Sequence, residues 1–270
     1  MQKVRPKKHL GQHFLTDLSI AHRIADTVDA YPDIPVLEIG PGMGVMTQYL
    51  ITKPREFKAV EIDQESVEYL NNNVNLNDNC QWRNGWLVNG DFLKMDLSTI
   101  FDGRPFVLTG NYPYDISSQI FFKMLDNKDL IPCCTGMIQR EVAQRIAAGP
   151  GSKTYGILSV LIQAWYDTEY LFTVDETVFN PPPKVKSAVI RMTRNQRTDL
   201  GCDWSLFKRI VKATFNQRRK MLRVSLKQIV ANPLELPLPA DFLAKRPEQL
   251  THEEFVTLTS AIDTYNGTKV

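Results

Sequence analysis

Val36-Leu37-Glu38-Ile39-Gly40-Pro41-Gly42-Met43-Gly44 reads as a short buried-type strand that runs straight into a glycine-rich turn. Glycine admits positive φ and lets backbone come close to a ligand, so the turn is a candidate cradle. It is neither the G-x-G-x-x-G dinucleotide pattern nor a phosphate loop, because no lysine follows. Working outward, a helix runs to about Leu50. Phe57 to Ile62 is a second strand that ends in acid, with Asp63 placed to cap the helix Gln64 to Val74. Trp86 to Asn89 is a third strand, ending at Gly90-Asp91. Phe106 to Thr109 is a fourth, and Asp115 is placed to cap a helix from Ile116 to Leu125. Thr135 to Gln139 is a fifth, followed by the helix Arg140 to Ala148. Upstream, Leu18, Ile20, Ala21, Ile24, Ala25 and Val28 recur at helical spacing behind Asp17, a plausible cap. Strands alternating with helices predict an α/β, mostly parallel sheet with helices on both faces.

The rhythm then breaks. Gly149-Pro150-Gly151-Ser152 is a loop and Ile157 to Trp165 a helix. Tyr166 to Val174 and Ser187 to Thr193 read as two more strands, joined by a long connection that contains Phe179-Asn180-Pro181-Pro182-Pro183-Lys184. An antiparallel pair of this kind would close the sheet at seven strands. Asn195 to Asp203 is polar and reads as a linker. Beyond it the pattern is helical, broken at Pro233, Pro237 and Pro239. The expected division is a sheet domain over 1–198, opened by a basic segment over 1–17, and a small all-helical domain over 199–270.

Candidate ligand groups stand at successive strand ends. A carboxylate at Glu61 is where acids accept hydrogen bonds from ribose hydroxyls, and Asp91 is placed to accept an adenine amino proton. After the fourth strand comes Asn111-Tyr112-Pro113-Tyr114. The Asn111 side-chain oxygen and a nearby backbone carbonyl can accept both protons of an exocyclic amino group, while Tyr114 stacks on the ring. Ligands of open α/β sheets bind at this edge.

The 270-residue chain is 43% hydrophobic, enough for a real core, and its net charge of +2 announces no partner. The distribution is more telling. Lys3, Arg5, Lys7 and Lys8 open the chain, and Lys208, Arg209, Lys212, Arg218, Arg219, Lys220, Arg223 and Lys227 form a second block with no acid between Ser205 and Lys227. Such blocks suit phosphate binding or a solvated helix face. Cys80, Cys133, Cys134 and Cys202 lack C-x-x-C spacing, so no metal site is expected, and the adjacent pair reads as core in a reducing compartment. Neither a signal core nor a membrane-length apolar run is evident, so a cytoplasmic protein is expected.

The order Glu38-Ile39-Gly40-Pro41-Gly42, Glu61-Ile62-Asp63, Gly90-Asp91, Gly110-Asn111-Tyr112-Pro113-Tyr114 resembles the class I S-adenosylmethionine-dependent methyltransferases that act on an adenine amino group. Lys8-His9-Leu10-Gly11-Gln12-His13-Phe14-Leu15 is similar to the entry signature of the rRNA adenine dimethyltransferases. So are Gln139-Arg140-Glu141-Val142-Ala143, Pro181-Pro182-Pro183-Lys184-Val185-Lys186-Ser187 and Phe215-Asn216-Gln217-Arg218-Arg219-Lys220. The resemblance spans nearly the whole chain. It implies that Gln12, His13 and Leu15 form a flap over S-adenosylmethionine, that Gly40 and Gly42 admit its methionine portion, and that Glu61, with Ile62 beside it, holds the ribose. Asp91 and Phe92 would recognise its adenine. Asn111 would sit between the donor and the target base, helped by the backbone of Tyr112 and Pro113, and Tyr114 and Phe179 would hold that base between aromatic faces. Lys208, Arg218, Arg219, Lys220 and Arg223 would grip RNA. Two positions depart from the family pattern, which often has Asn at 13 and Leu at 112.

The implied activity is dimethylation of N6 of two adjacent adenosines in the 3'-terminal stem-loop of 16S rRNA during small-subunit biogenesis, by a monomer with no membrane association. The alternatives are a large-subunit rRNA adenine methyltransferase of the macrolide-resistance type, or a catalytically silent RNA-binding assembly or transcription factor.

Overall fold

The computed structural model of the chain describes residue 7 and residues 13–74 and 85–267. It divides into two compact units, Met1–Ala143 with Thr168–Arg194, and Gln144–Asp167 with Asn195–Val270.

The elements run β1 (Phe14–Leu15), α1 (Leu18–Asp26), β2 (Val36–Ile39), α2 (Thr47–Leu50), β3 (Phe57–Glu61), α3 (Gln64–Asn73), β4 (Leu87–Asn89), β5 (Val107–Gly110), α4 (Ser117–Asp126), β6 (Cys133–Gln139), α5 (Arg140–Ala147), α6 (Ile157–Gln163), β7 (Tyr166–Val174), β8 (Phe179–Asn180) and β9 (Ser187–Arg194). Seven strands form one sheet in the order β4-β3-β2-β5-β6-β9-β7. Pairs from β4 across to β6 are parallel, and β9 runs antiparallel to β6. The apolar runs explain this. Every residue of β2 and β5 is buried, as parallel strands covered on both faces require. The adjacent Cys133 and Cys134 are fully buried in β6, as their apolar surroundings suggest. The strand order reverses between β2 and β5, which opens a crevice at their carboxyl ends.

α1 follows its pattern. The Asp17 side chain accepts from the backbone N–H of Ser19 (2.9 Å) and Ile20 (3.2 Å), and Ala21, Ile24, Ala25 and Val28 are fully buried. The α-helix stops at Asp26 and tightens into a 3₁₀ turn over Thr27–Ala30. Two expected caps differ. Asp63 stands at the N-cap of α3, but its carboxylate is engaged by the Ser66 hydroxyl (2.8 Å) and the Lys7 ammonium (2.5 Å) instead of the first helical amides. Asp115 caps nothing. The chain first turns tightly, Ile116 N–H to Pro113 O (3.3 Å), and α4 begins only after that turn.

Among the described residues, one strand pair lies outside the sheet. β1 and β8 form an antiparallel ribbon with Leu15 opposite Phe179, extended by Thr16 N–H to Val178 O (2.8 Å). Strands of two residues have no periodicity to read, so the sequence shows only a flap segment and a long connection.

The second unit is built from helices: α6, α7 (Trp204–Asn216), α8 (Leu222–Ser225), α9 (Ala240–Ala244) and α10 (His252–Gly267), with 3₁₀ turns between them. Its core includes Phe207, Ile210, Leu222, Phe255, Leu258 and Ile262, all fully buried. The sequence boundary at 198 leaves residues 144–167 with the sheet, whereas in the structure they belong to the helical unit. α6 is buried on nearly every side, at Leu158, Ser159, Val160, Leu161 and Ile162, and packs on α7 and α10. A helix without a polar face does not announce its neighbour.

Candidate active site

A cavity of about 270 Å³ opens at the carboxyl ends of β2, β3, β4 and β5, walled by residues 38–43, 60–62, 90–93 and 111–116 together with 13–15 of the β1 segment. All of it belongs to the sheet unit.

The turn after β2 needs its glycines. Gly40 and Gly42 have φ of +64° and +57°. A Cβ on Gly40 would meet no protein atom within 4 Å, while one on Gly42 would come within 3.1 Å of the Phe14 ring. Gly42 N–H donates to Glu61 Oε2 (3.0 Å), and Asp63 N–H donates to Oε1 (2.9 Å). Glu61 is thereby fixed at the end of β3, only 3% exposed. Burial pushes its pKa up and the two backbone donors oppose that shift. A carboxylate offers about four acceptor positions, so Glu61 keeps capacity for hydroxyl donors on the cavity side. Ile62 beside it is 54% exposed, an apolar face at the cavity wall.

Glu38 is a residue the sequence reading passed over. It lines the same cavity from within β2, accepts from the Thr47 hydroxyl (2.7 Å), and is 2% exposed. Burial pushes its pKa up to about 8, with the Glu61 charge adding to the shift, which favours the protonated form. The available signal was an acid between two aliphatic residues of a four-residue buried strand.

At the end of β4, Asp91 Oδ1 accepts from Leu93 N–H (3.0 Å) and caps the 3₁₀ turn Phe92–Lys94. Its second oxygen lies 3.3 Å from Lys94 Nζ. Phe92 is buried against the turn.

At the end of β5, Asn111 Nδ2 donates to the backbone oxygen of His13 (3.2 Å). That leaves Oδ1 without a protein donor among the described residues. Tyr112 turns the other way. Its ring is 1% exposed, its hydroxyl donates to Thr135 O (2.9 Å), and it stands edge-on to Phe121. Gly136 makes room, since a Cβ there would fall 2.7 Å from the Tyr112 ring and 2.4 Å from Gly110 O. Tyr112 therefore offers the cavity backbone alone. Tyr114 reaches the cavity with its ring, held by a 2.5 Å hydrogen bond between its hydroxyl and Ser187 Oγ and stacked on His13 at 5.6 Å. Burial keeps its phenol neutral by raising the pKa. His13 Nδ1–H donates to Pro181 O (2.9 Å), so the residue at this departure from the family pattern still holds the flap by a side-chain hydrogen bond.

The structure thus brings His13, Leu15, Gly40, Gly42, Glu61, Ile62, Asp91, Phe92 and Asn111 to Tyr114 into one cavity. Phe179 stands apart from these residues. Opposite Leu15 in the ribbon, it is 3% exposed, packs within the hydrophobic core, and does not line the cavity. Gln12 lies outside the described residues.

In the helical unit, Arg219, Lys220 and Arg223 are exposed and Lys208 lies over the Trp204 ring at 5.2 Å. Arg218 points inward, donating to the backbone oxygens of Tyr155 and Ser152. Its guanidinium braces the helical unit, which corrects its reading as a phosphate contact. No helix among the described residues is long and apolar enough to cross a membrane.

A family model described as "Ribosomal RNA adenine dimethylase" matches residues 3–255. The chain is 67% identical to a Ribosomal RNA small subunit methyltransferase A of Bacteroides fragilis, over 97% of this chain and 94% of that one. It is 54% identical to the protein of the same name from Porphyromonas gingivalis, over 96% and 98%. Among solved structures, a dimethyladenosine transferase from Plasmodium falciparum superposes with a TM-score of 0.76 at 21% identity, covering 94% of this chain and 98% of that one, a likeness of fold. The 23S rRNA methyltransferase ErmE superposes with a TM-score of 0.65 at 25% identity, covering 93% and 99%.

Proposed function

The chain belongs to the ribosomal RNA adenine dimethylase family, and from that premise we propose that its cavity receives S-adenosylmethionine and one unstacked adenine of small-subunit rRNA. The product is N6,N6-dimethyladenosine at two adjacent positions of the 3'-terminal stem-loop of 16S rRNA, made in the cytoplasm by a monomer.

The residues present fit the donor. The glycine turn leaves open space where a side chain would stand, Glu61 has acceptor capacity for ribose hydroxyls, Ile62 and Phe92 supply apolar surface, and Asp91 can accept an amino proton. When bound, S-adenosylmethionine supplies an electrophilic methyl group on a sulfonium.

The chain's own part is positioning. The lone pair of an adenine amino nitrogen is delocalised into the ring. Asn111 Oδ1 accepts one amino proton and the backbone oxygen of Tyr112 or Pro113 accepts the other, which favours a more tetrahedral nitrogen. Such fixed acceptors act through orientation and a preorganised polar environment. Taking the base out of its stack costs a few kcal/mol, and the Tyr114 ring returns roughly 1–3 kcal/mol by stacking. His13 shares that ring face in the free protein, so entry of a base on this side requires the imidazole to move. Arg219, Lys220, Arg223 and Lys208 contribute phosphate contacts from the helical unit.

The observation that carries the proposal is the Asn111 amide. With Nδ2 committed to the flap backbone, its orientation is set and the remaining oxygen is the acceptor that an exocyclic amino group requires. The test is to supply labelled S-adenosylmethionine with unmodified small and large ribosomal subunits in parallel. Label is expected in dimethyladenosine of the small-subunit RNA. Label confined to the large-subunit RNA would favour the large-subunit reading, and absence of label from both would leave an RNA-binding protein.

A further inference from the structure

The turn that follows β4 is poorly supported by the sheet. β4 has three residues and, among the described residues, lies at the sheet edge and pairs with β3 alone. Within the turn, Lys94 N–H bonds to Asp91 O (2.9 Å) and Met95 N–H to Phe92 O (3.3 Å). The carbonyls of Leu93 and Met95 take no part in that pattern. Both are taken by one side chain from α4: Lys123 Nζ donates to Leu93 O (2.9 Å) and to Met95 O (2.5 Å). The same ammonium lies 5.7 Å from the centre of the Phe92 ring. Burial holds the Lys123 pKa below the usual lysine value, while Asp91 and Asp96 act in the opposite direction.

We propose that Lys123 is a positioning residue that fixes the donor-reading turn, and so sets how sharply Asp91 distinguishes adenine from other purines. It acts through the carbonyls on which the turn is hung and touches no reactant. The inference rests on the reading of Asp91 as the acceptor of the donor's adenine amino proton. Three donors on a compact ammonium suit the task, since two are spent on carbonyls two residues apart and the charge opposes the carboxylates on either side. The brace also links the two halves of the site. Asp91, Phe92 and Leu93 wall the cavity on one side, and α4 is the helix that continues from the wall residues Asn111 to Ile116. Lys58 does similar work one segment along, where its Nζ donates to Ile100 O (2.5 Å) beside the Phe101 ring, but that contact is remote from the cavity wall. No motif marks Lys123, because its role is visible only once α4 and the turn are seen together.

The test compares the affinity of the free enzyme for S-adenosylhomocysteine with that for its deaminated hypoxanthine analogue. Deamination replaces the amino donor by an oxygen that a carboxylate repels, and sites that pair a donor reject analogues lacking it strongly. The wild-type ratio is the reference. In Lys123→Met the ratio is expected to fall by about tenfold, the worth of roughly one well-placed hydrogen bond. A general loss of packing would weaken both ligands together and leave the ratio unchanged. A Lys123→Met ratio equal to wild type overturns the inference. Should that variant fail to fold, Lys123→Gln, with a single amide in place of the ammonium, carries the same expectation of a lowered ratio. Asp91→Ala, which removes the acceptor, separates the two layers. If it retains the full preference, the reading of Asp91 is wrong; if it loses the preference while Lys123→Met keeps it, only the brace is wrong.

Discussion

The cavity of the sheet unit and the basic block of the helical unit handle charge in opposite ways. Around the cavity three carboxylates are held by named donors, Glu38 by Thr47, Glu61 by Gly42 and Asp63, and Asp91 by Leu93, while Asp115 at the rim is exposed. In the helical unit Arg219, Lys220 and Arg223 stand exposed on a turn and a short helix, whereas Arg218, their neighbour in the basic block, is turned inward onto two backbone oxygens. A group with fixed partners presents a single geometry to its ligand, and a small error in its position is costly. An exposed cation attracts phosphates over a Debye length with little demand on geometry. Substitutions in the first region should therefore produce large, ligand-specific losses, and those in the second small, additive ones that fade with salt.

The largest effect is expected at Asn111. Asn111→Ala removes the acceptor and frees the His13 carbonyl at once. We expect turnover to drop by about 10²–10³-fold, the range seen when one preorganised polar group is lost, with donor affinity changed far less. Single-turnover methylation alongside calorimetry for S-adenosylhomocysteine checks both. Near-normal transfer would remove the central contrast, because the cavity would then tolerate an unfixed base. Tyr114→Ala comes next, with kcat/KM for RNA lower by about tenfold through lost stacking. An unchanged value would make Tyr114 a packing residue held by Ser187.

These two positions also show what was legible in advance. The apolar runs of β2, β5 and β6 and the acids at the ends of β3 and β4 are local patterns, and a strand end is where such acids become useful, so Glu61 and Asp91 were readable one by one while Glu38, inside β2, was not. Asp17 was readable as a cap because capping is settled within three residues. Asp115 was misread because Pro113 imposes a turn before the helix can start. The β1–β8 ribbon joins segments far apart in the chain, and its consequence, the burial of Phe179, is a property of the pairing and of no single residue. Arg218 is one of several arginines and lysines in a row. Which of them turns inward depends on the backbone oxygens of Tyr155 and Ser152, which lie on a segment the sequence assigns to the other domain.

Arg218 supplies the next prediction. Charge reversal at Arg219, Lys220 or Arg223 should weaken RNA binding and reduce its slope against log salt by about 1 per position, as expected for single phosphate contacts. Arg218→Met should leave that slope alone and lower the melting temperature, since two backbone acceptors lose a charged donor worth about 1.5–3 kcal/mol. Filter binding across a salt series, with thermal denaturation of the same proteins, reads both. A reduced slope in Arg218→Met would place its guanidinium on RNA and dissolve the distinction between inward and outward arginines.

The prediction that probes the buried side of the comparison most directly concerns Glu38. Its pKa is about 8 in the folded chain against an ordinary 4.5. Below the lower value folded and unfolded states are both protonated, and Glu38 adds no pH dependence. Between the two values the folded state keeps a proton that the unfolded state has released, so stability falls as pH rises across this window and levels off above the upper value. Glu38→Gln keeps an acceptor for the Thr47 hydroxyl and cannot ionise. Measured without donor, wild type and variant should differ little near pH 4, and the variant should melt higher by pH 8–9, by about 2–4 °C for each kcal/mol recovered. Equal slopes of melting temperature against pH would mean that Glu38 is ionised in the fold. Glu38 and Glu61 would then face one another as two charges within a single cavity, and donor binding would have to overcome their repulsion as well as their burial.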